Sequence, residues 1–295
     1  MLYLVIKTGN PQNTFVFWGF FFGDSMKKYL FIFFLLFVSN VCGQDLKVVS
    51  LAPSITDEII DLNCKDSLVG VTKFDLKKIN ASCVGDLQNI DLEKIATLKP
   101  DIVFVKKDCI YPERLKLIKK MRINVVVVPQ DSNFEDICKN FILIGKILGK
   151  EDKAQEIIRL LRKCLNKDKA QCGSKIKAVF VVGARPIVAV GGKSYINEIM
   201  SLCCFENVYR EIKKPYVVVS KESLIEKKPK VVFCAFTAGY CEYSKNNFFD
   251  FLVSSGIVGK ENIITLDEDL FCRPTPYKYV ESVLILKGIY EKFSK

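Results

Sequence analysis

A short helix followed directly by a buried strand is predicted twice in this chain. The segment LEKIATLKPDIVFV, residues 92–105, returns as KESLIEKKPKVVFC, residues 221–234. In each copy, apolar residues among polar ones precede a proline, and a run of four β-favouring or apolar residues comes after it. Proline lacks an amide hydrogen and disfavours helix in the residue before it, so each helix should end just ahead of Pro100 or Pro229.

The starts of the two predicted helices also match. Asp91 and Ser220 stand where an N-cap residue is expected. Glu93 then aligns with Glu222, which places both glutamates in a first helical turn.

A second repeat supports a duplication. The segment SITDEIIDLNC, residues 54–64, matches SYINEIMSLCC, residues 194–204, with Glu58 on Glu198. Two repeats in the same order predict two lobes of one topology. The 295 residues also exceed what one compact core usually needs.

Buried strands alternate with amphipathic helices through both halves, which predicts an α/β fold of two Rossmann-like lobes with parallel sheets. The strands are predicted at 47–51, 68–71, 102–105 and 125–128, and then at 176–182, 187–190, 231–236 and 263–266. Segments 74–87 and 237–247 are predicted loops, and 277–293 is a closing helix.

Residues 151–169 carry apolar side chains at spacings of three and four, and such a helix would be about 28 Å long. Its place between the similar halves predicts one long α-helix that joins them. The alternative is a surface helix of the first lobe. The predicted divisions are a first lobe at 44–148, a linking helix at 149–170 and a second lobe at 171–295.

The N-terminal region indicates export. Residues 26–43 have the basic start, the apolar middle of about ten residues and the small-residue end of a secretory signal peptide. We therefore expect a periplasmic protein, with residues 1–25 as a non-native extension and translation starting at Met26. Lipid attachment through Cys42 is the alternative, although Val41 is bulky where a small residue is expected.

Composition excludes several classes of site. The chain has no histidine, which removes the commonest ligand of zinc and haem iron and the usual general base. Eleven cysteines follow Gly43 without a C-x-x-C motif, and their pairing stays open. The net charge of +11 is spread along the chain, which favours a generally basic protein over a nucleic-acid binder.

One phosphate-binding motif is incomplete. The segment GGKS, residues 191–194, resembles the end of a P-loop, but Ile187 stands where the loop needs a glycine. ATP binding is therefore not expected.

Taken in order, the segments VVSLAPSITDEI, GDLQNIDLEKIATLKPDIVFV, SKESLIEKKPKVV and LFCRPTPYKYVESVL resemble the cobalamin- and siderophore-type periplasmic binding proteins that serve ABC importers. The similarity runs from about residue 47 to 290. It implies a monomer with a ligand crevice between its lobes, which carries a corrinoid, a ferric siderophore or haem to a permease dimer. It implies no catalysis, no cofactor and no directly bound metal ion.

The resemblance assigns the two matched glutamates to docking. In the family, one glutamate on each lobe forms salt bridges with permease arginines, and Glu93 and Glu222 occupy those positions. The forked guanidinium of arginine suits a carboxylate. The alternative is that the helix dipole alone favours an acidic residue in a first turn.

The resemblance also implies which residues face the ligand. They are Phe74, Tyr216, Asp269, Leu270, Phe271, Cys272 and Arg273, with Arg185 as a further candidate. Phe271 and Tyr216 could instead belong to the core.

The ligand itself stays open at this point. The single tryptophan, Trp18, lies upstream of the expected mature chain, so a tryptophan-lined corrinoid pocket is not expected. Haem coordinated by Tyr216, Tyr240 or Tyr243 remains an alternative.

The alternatives to an import protein are a binding module for a sensor and a secreted enzyme. A binding module that feeds a sensor has the same sequence features as an import protein. A secreted α/β enzyme would need a nucleophile or an acid-base pair, but the chain has no G-x-S-x-G motif. Asp57 and Glu58 are adjacent and would point to different faces of a helix.

Overall fold

The protein is described by a computed structural model that covers residues 5–7, 14–16, 46–76, 79–86, 89–167, 172–236 and 242–293. The predicted signal peptide, with Cys42, lies outside the described residues, as does Tyr240. The chain forms two compact units, residues 1–45 and 46–295. In the first unit, strand β1 (Val5–Lys7) pairs antiparallel with β2 (Thr14–Val16).

The first half of the larger unit is a five-stranded sheet with helices on both faces. Its elements are β3 (Val48–Ser50), α1 (Pro53–Asp61), β4 (Leu68–Val71), β5 (Ser82–Cys83), α2 (Leu92–Leu98), β6 (Ile102–Lys106), α3 (Pro112–Lys120), β7 (Asn124–Val128) and α4 (Phe134–Ile147). The strand order is β5-β4-β3-β6-β7, and every pair is parallel. Successive strand residues point to opposite faces, so Val48 and Phe104 pack beside α1 and α4 while Val49 and Val103 pack beside α2 and α3.

The second half begins after a long helix, α5 (Glu151–Lys167). Its elements are β8 (Ile176–Ala184), β9 (Ile187–Val190), α6 (Tyr195–Leu202), β10 (Phe205–Asn207), β11 (Tyr216–Val218), α7 (Lys221–Lys227), β12 (Val231–Cys234), α8 (Glu242–Ser254), β13 (Ile263–Thr265), α9 (Glu268–Cys272) and α10 (Pro276–Phe293). The strand order is β11-β9-β8-β12-β13, with β10 also paired to β8.

The α/β fold class with two sheets is confirmed, but the second sheet is mixed instead of wholly parallel. Strand β9 runs antiparallel to β8, and β11 runs antiparallel to β9. The cause is local, because only Arg185 and Pro186 separate β8 from β9. A two-residue connection can join antiparallel neighbours, whereas parallel neighbours need a crossover of a dozen residues or more.

The repeated helix–strand unit has the same local structure in both halves. The Asp91 carboxylate accepts a hydrogen bond from the Lys94 amide at 2.8 Å, and the Ser220 hydroxyl accepts one from the Ser223 amide at 3.2 Å. Helices α2 and α7 both end at a lysine in the left-handed region, Lys99 at φ +46° and Lys228 at φ +45°. The next residue in each copy is the buried proline, as the sequence predicts.

Helix α5 lies between the two sheets in the chain and buries its apolar stripe. Ala154, Ile157, Ile158 and Leu161 are buried, and they belong to an apolar cluster that contains core residues from both sheets. Cys164, predicted on the same face, is exposed. The 17 residues of this helix span about 25 Å. The proposed boundaries at 148, 170 and 43 stay predictions.

Two helices were missed by the sequence reasoning, α8 and the short α9. Helix α8 begins at Glu242, inside the segment predicted as a loop. Five of its apolar residues stand together in the run 248–253, in its second half, so the pattern gave no amphipathic signal along the whole helix.

One disulfide bond lies among the described residues. Cys172 and Cys204 form a disulfide bond that ties the segment after α5 to the end of α6. Eight other cysteines within the described ranges are free thiols, namely 64, 83, 109, 138, 164, 203, 234 and 272.

None of the helices described here is both long and apolar enough to cross a membrane.

The left-handed helix ends generate a prediction for stability. Lys99→Gly should raise the free energy of unfolding by roughly 0.5–1 kcal/mol, since glycine carries no Cβ to clash at positive φ. Lys94→Gly, inside the same helix, should lower it by about 1 kcal/mol. Urea denaturation measures both, and a loss of stability in Lys99→Gly would contradict the prediction.

Candidate ligand crevice

The two halves enclose a cavity of about 60 Å³ where their loops meet. The first half contributes Ser54, Lys106, Asp108, Cys109, Gln130 and Asp131, and the second contributes Ser194, Tyr195, Pro215, Tyr216, Cys272 and Pro274. The carboxyl ends of β6 and β7 open into this cavity. That edge of a parallel sheet is where α/β proteins bind ligands.

A wider opening of about 480 Å³ adjoins the cavity at Ser194. It lies between the starts of α4 and α6, whose N-caps Asn133 and Ser194 line it together with Gly192, Lys193 and Glu198. Binding sites for drug-sized ligands measure about 300–1,000 Å³. A macrocycle would therefore occupy the outer opening, and would reach the inner cavity only if the halves part.

A buried ion pair forms the floor of the cavity. The Lys106 ammonium lies 2.6 Å from the Asp131 carboxylate, and both side chains are 4% exposed. The amide of Asn140 donates to the other Asp131 oxygen at 2.6 Å. Burial lowers the pKa of Lys106, but the carboxyl groups of Glu58 and Asp131 outweigh that effect and the net shift is upward. The lysine therefore stays charged.

Glu58 lies beside this ion pair and is not part of it. The residue is 1% exposed, and its Oε2 atom has no hydrogen-bond partner within the described part of the chain. Burial raises the pKa of Glu58 well above its usual value, and Lys106 only partly opposes the rise. Glu58 follows Ser54 by one helical turn, so this buried carboxyl group, with its raised pKa, sits directly behind the cavity wall.

Both halves present neutral hydroxyl or thiol groups to the cavity. The Tyr195 hydroxyl donates to the Phe271 carbonyl at 2.6 Å. Burial raises the pKa of Tyr195 and of Tyr216, so both phenols keep their protons. Burial also raises the pKa of Cys109 and of Cys272 to about 12 each, with Asp108 and Glu268 adding to the respective shifts.

Polar contacts hold the halves together below the cavity. Lys278 of α10 lies 2.6 Å from Asp57 of α1 and 2.8 Å from Asp269 of α9. Glu198 of α6 accepts a hydrogen bond of 2.7 Å from the Phe134 amide at the start of α4. These contacts fix α1 and α4 of one half against α6, α9 and α10 of the other.

Tyr216 and Cys272 line the inner cavity, and their role in ligand binding stays a prediction. Phe271 does not line the cavity, because its ring is 1% exposed and packs 5.6 Å from the Phe180 ring in the core. This corrects the expectation for Phe271. The backbone explains it, because successive residues of α9 point in different directions and Cys272 takes the crevice side.

The remaining expected ligand residues lie outside the cavity lining. Asp269 and Arg273 pair with each other at 2.9 Å, and Leu270 packs against the core. Phe74 is half-buried with the Lys73 ammonium 5.3 Å from its ring centre. Arg185 is exposed in the turn between β8 and β9. Their assignment to ligand binding stays a prediction for a more open arrangement.

Glu93 and Glu222 are exposed in the first turns of α2 and α7. Each helix precedes a parallel strand and runs back along it, so each helix start lies near the carboxyl end of that strand. A hydrogen bond from its own backbone amide and one from Ser220 lower the pKa of Glu222. Both halves therefore present a carboxylate near the edge that bears the crevice.

Several crevice residues were missed by the sequence reasoning, chiefly Lys106, Asp131 and Tyr195. Lys106 comes directly after one predicted buried strand and Asp131 three residues after the next, and a position just past such a strand is itself a signal for a ligand site. Among the residues that the structure describes, no group of three or more histidine, cysteine or acidic side chains could hold a metal ion.

Comparison with known proteins identifies the family. A family described as "Periplasmic binding protein" matches residues 48–260. The chain belongs to this family. This periplasmic binding protein is 26% identical over 235 residues to a vitamin B12-binding protein of Vibrio parahaemolyticus, which covers 78% of this chain and 84% of the relative.

Two further proteins resemble this chain over a similar length. An uncharacterized ABC transporter substrate-binding lipoprotein of Bacillus subtilis is 28% identical over 229 residues, with 71% of this chain and 72% of the relative covered. The crystal structure of the periplasmic vitamin B12 binding protein of Vibrio cholerae superimposes with a TM-score of 0.70 at 22% identity, over 84% of this chain and 97% of that one. The structural likeness confirms the fold of this periplasmic binding protein.

The buried pair generates a prediction. Lys106→Met should lower the free energy of unfolding by about 3–5 kcal/mol, because the Asp131 charge is left buried without its partner. The double variant Lys106→Met, Asp131→Leu should lose less than the single one, since both charges leave the interior. Chemical denaturation measures both, and a double variant that is less stable than Lys106→Met would contradict this.

Proposed function

We propose that this protein is the solute-binding component of an ABC importer. It is exported across the inner membrane, captures a corrinoid or an iron chelate in the crevice, and delivers it to a permease dimer. Lys106, Asp131, Tyr195 and Tyr216 of the inner cavity contact the ligand once the halves part to admit it. Residues 26–43 act as its signal peptide.

The crevice itself carries the proposal. A single cavity receives side chains from both halves of the chain, and the wider opening beside it is also shared by both. A ligand bound there contacts both halves at once, so binding stabilises their closed arrangement. The vitamin B12-binding proteins of two Vibrio species, one matched in sequence and one in fold, support a macrocyclic cargo.

The charges of the inner cavity favour one ligand class over the others. Its charged lining consists of Lys106, Asp108 and Asp131, and the lysine is already paired. Arginine is missing from the part of this lining that the structure describes. An anionic ferric siderophore would meet the Asp108 carboxylate and a lysine that is already paired, whereas a neutral or cationic corrinoid would not be repelled. We therefore propose a corrinoid as the cargo.

The ligand class is tested by titration of the exported form, residues 44–295. Cobalamin and cobinamide should bind with a dissociation constant at least tenfold lower than those of haem and of a ferric tricatecholate siderophore, measured by calorimetry. Tyr216→Phe should weaken corrinoid binding by roughly three- to tenfold, about the contribution of one hydrogen bond. Tighter binding of the tricatecholate complex would overturn the choice of a corrinoid.

The proposed docking to the permease depends on the two matched glutamates. Glu93 and Glu222 occupy equivalent positions in the repeat, are exposed and begin helices at the crevice edge. Two carboxylates on separate lobes would suit two equivalent arginine sites on a two-fold permease.

Charge reversal at both positions tests the docking role. The variant Glu93→Lys, Glu222→Lys should abolish ligand uptake by cells while ligand affinity in solution stays within twofold of the unaltered protein. Glu113→Lys, an exposed acidic residue in the first turn of α3, is the matched control and should transport normally. Normal uptake by the double variant would remove the docking assignment.

A further inference from the structure

A further cavity among the described residues lies outside the crevice. It has a volume of about 950 Å³ and lies at the amino-terminal edge of the second sheet. Its lining comes mainly from residues just before β8, β12 and β13, with side chains of α7, α8 and α10. We call it the basal groove, and it is lined by Ser174, Lys175, Ile176, Ile225, Lys228, Pro229, Lys230, Val253, Ser255, Gly256, Ile257, Val258, Gly259, Asn262, Tyr290 and Phe293.

Three exposed lysines line one side of the basal groove. The Lys230 amide donates to the Lys177 carbonyl at 2.8 Å, so the starts of β8 and β12 run side by side. Lys175 and Lys228 each lie two residues earlier on these segments, and both line the groove with Lys230. No acidic side chain is among its described lining residues, and none of the three lysines forms an ion pair within the described chain.

Apolar side chains line the rest of the groove, and they come from other elements. Ile225 of α7 and Val253 of α8 are each 44% exposed, although both are large and apolar. Phe293 at the end of α10 joins them, and the Tyr290 hydroxyl donates to the Ser174 carbonyl at 2.9 Å, which closes one wall. Charge and apolar surface are thus separated, with lysines on the strand starts and apolar groups on the helices.

We propose that the basal groove binds a single-chain anionic amphiphile, with a phosphate or carboxylate head group at Lys175, Lys228 and Lys230 and an acyl chain against Ile225, Val253 and Phe293. An anion at the lysines would relieve their mutual repulsion. The chain would cover apolar surface that water now contacts, and each buried methylene contributes about 0.8 kcal/mol. A highly acidic peptide would satisfy the lysines but leave the apolar wall uncovered.

This site is separate from the crevice. The groove meets the start of β12, whereas the Cys272 thiol of the crevice lies 3.7 Å from the carbonyl of Ala235, just past the end of that strand. Four strand residues span about 13 Å. Substitutions in the groove therefore leave the crevice residues in place, and the proposal does not rest on the identity of the crevice ligand.

The test uses dodecyl phosphate, below its micelle concentration, in calorimetric titrations of residues 44–295. We expect one molecule to bind per chain. The variant Lys175→Gln, Lys228→Gln, Lys230→Gln should bind it at least tenfold more weakly, and Val253→Asp should do so as well. The matched control Lys116→Gln, Lys119→Gln, Lys120→Gln removes the same charge from exposed positions on α3 and should bind within twofold of the unaltered protein.

Other probes separate this proposal from its competitors. Inorganic phosphate and dodecyl maltoside should each bind at least tenfold more weakly than dodecyl phosphate, because each offers half of the required chemistry. Equal affinity for dodecyl maltoside, unchanged affinity of the triple groove variant, or binding to phosphatidylglycerol vesicles without binding of free dodecyl phosphate would each overturn it. Corrinoid affinity of the groove variants reports separately on the crevice.

Discussion

The crevice depends on how the two halves of the chain are held against each other. One continuous apolar cluster runs from the first sheet through helix α5 into the second sheet, and it supplies the bulk of the adhesion. Apolar contact is not directional, however, and it would tolerate many relative orientations. Direction comes from the polar contacts, since Lys278 must reach Asp57 and Asp269 together and Glu198 must meet the Phe134 amide. A crevice of defined shape follows from that combination of a broad apolar seam and a few contacts of fixed geometry.

The apolar contact between the two halves also explains why so many polar groups of the crevice are neutral. Closing the halves removes water from Tyr195, Tyr216, Cys109 and Cys272, and each keeps its proton because the charged form would lose its hydration. Lys106 and Asp131 stay charged although they are buried, because each is paired with the other at 2.6 Å. A ligand that enters therefore meets hydrogen-bond donors and acceptors with little net charge. Such a surface discriminates by shape and by hydrogen-bond pattern more than by long-range attraction.

Sequence patterns predicted those parts of the fold that are local. The ends of α2 and α7 were predictable because a proline, a cap residue and an apolar run act within a few residues of one another. The direction of β9 was not, since the parallel expectation came from the overall rhythm while a two-residue turn fixed the outcome. The candidate site divides in the same way. Tyr216 lines the inner cavity. Which neighbour of Phe271 points outward depends on how α9 is rotated against Phe180, and no sequence pattern records that rotation.

The two copies of the repeat show how equivalent positions can acquire different physical roles. Glu58 and Glu198 occupy the same place in the second repeat, one turn after Ser54 and Ser194, and both serines line the crevice. Glu198 meets the amino end of α4 and the Tyr279 hydroxyl, so its carboxylate is solvated by two donors. Glu58 instead faces its own sheet, where the Lys106 ammonium is already paired with Asp131, and burial raises the pKa of Glu58. The asymmetry follows from the chain order, because α4 follows the first sheet and delivers its amino end to only one of the two glutamates. A duplicated fold thus yields one glutamate that joins the halves and one that is buried behind the crevice wall, with no hydrogen-bond partner for its Oε2 atom among the described residues.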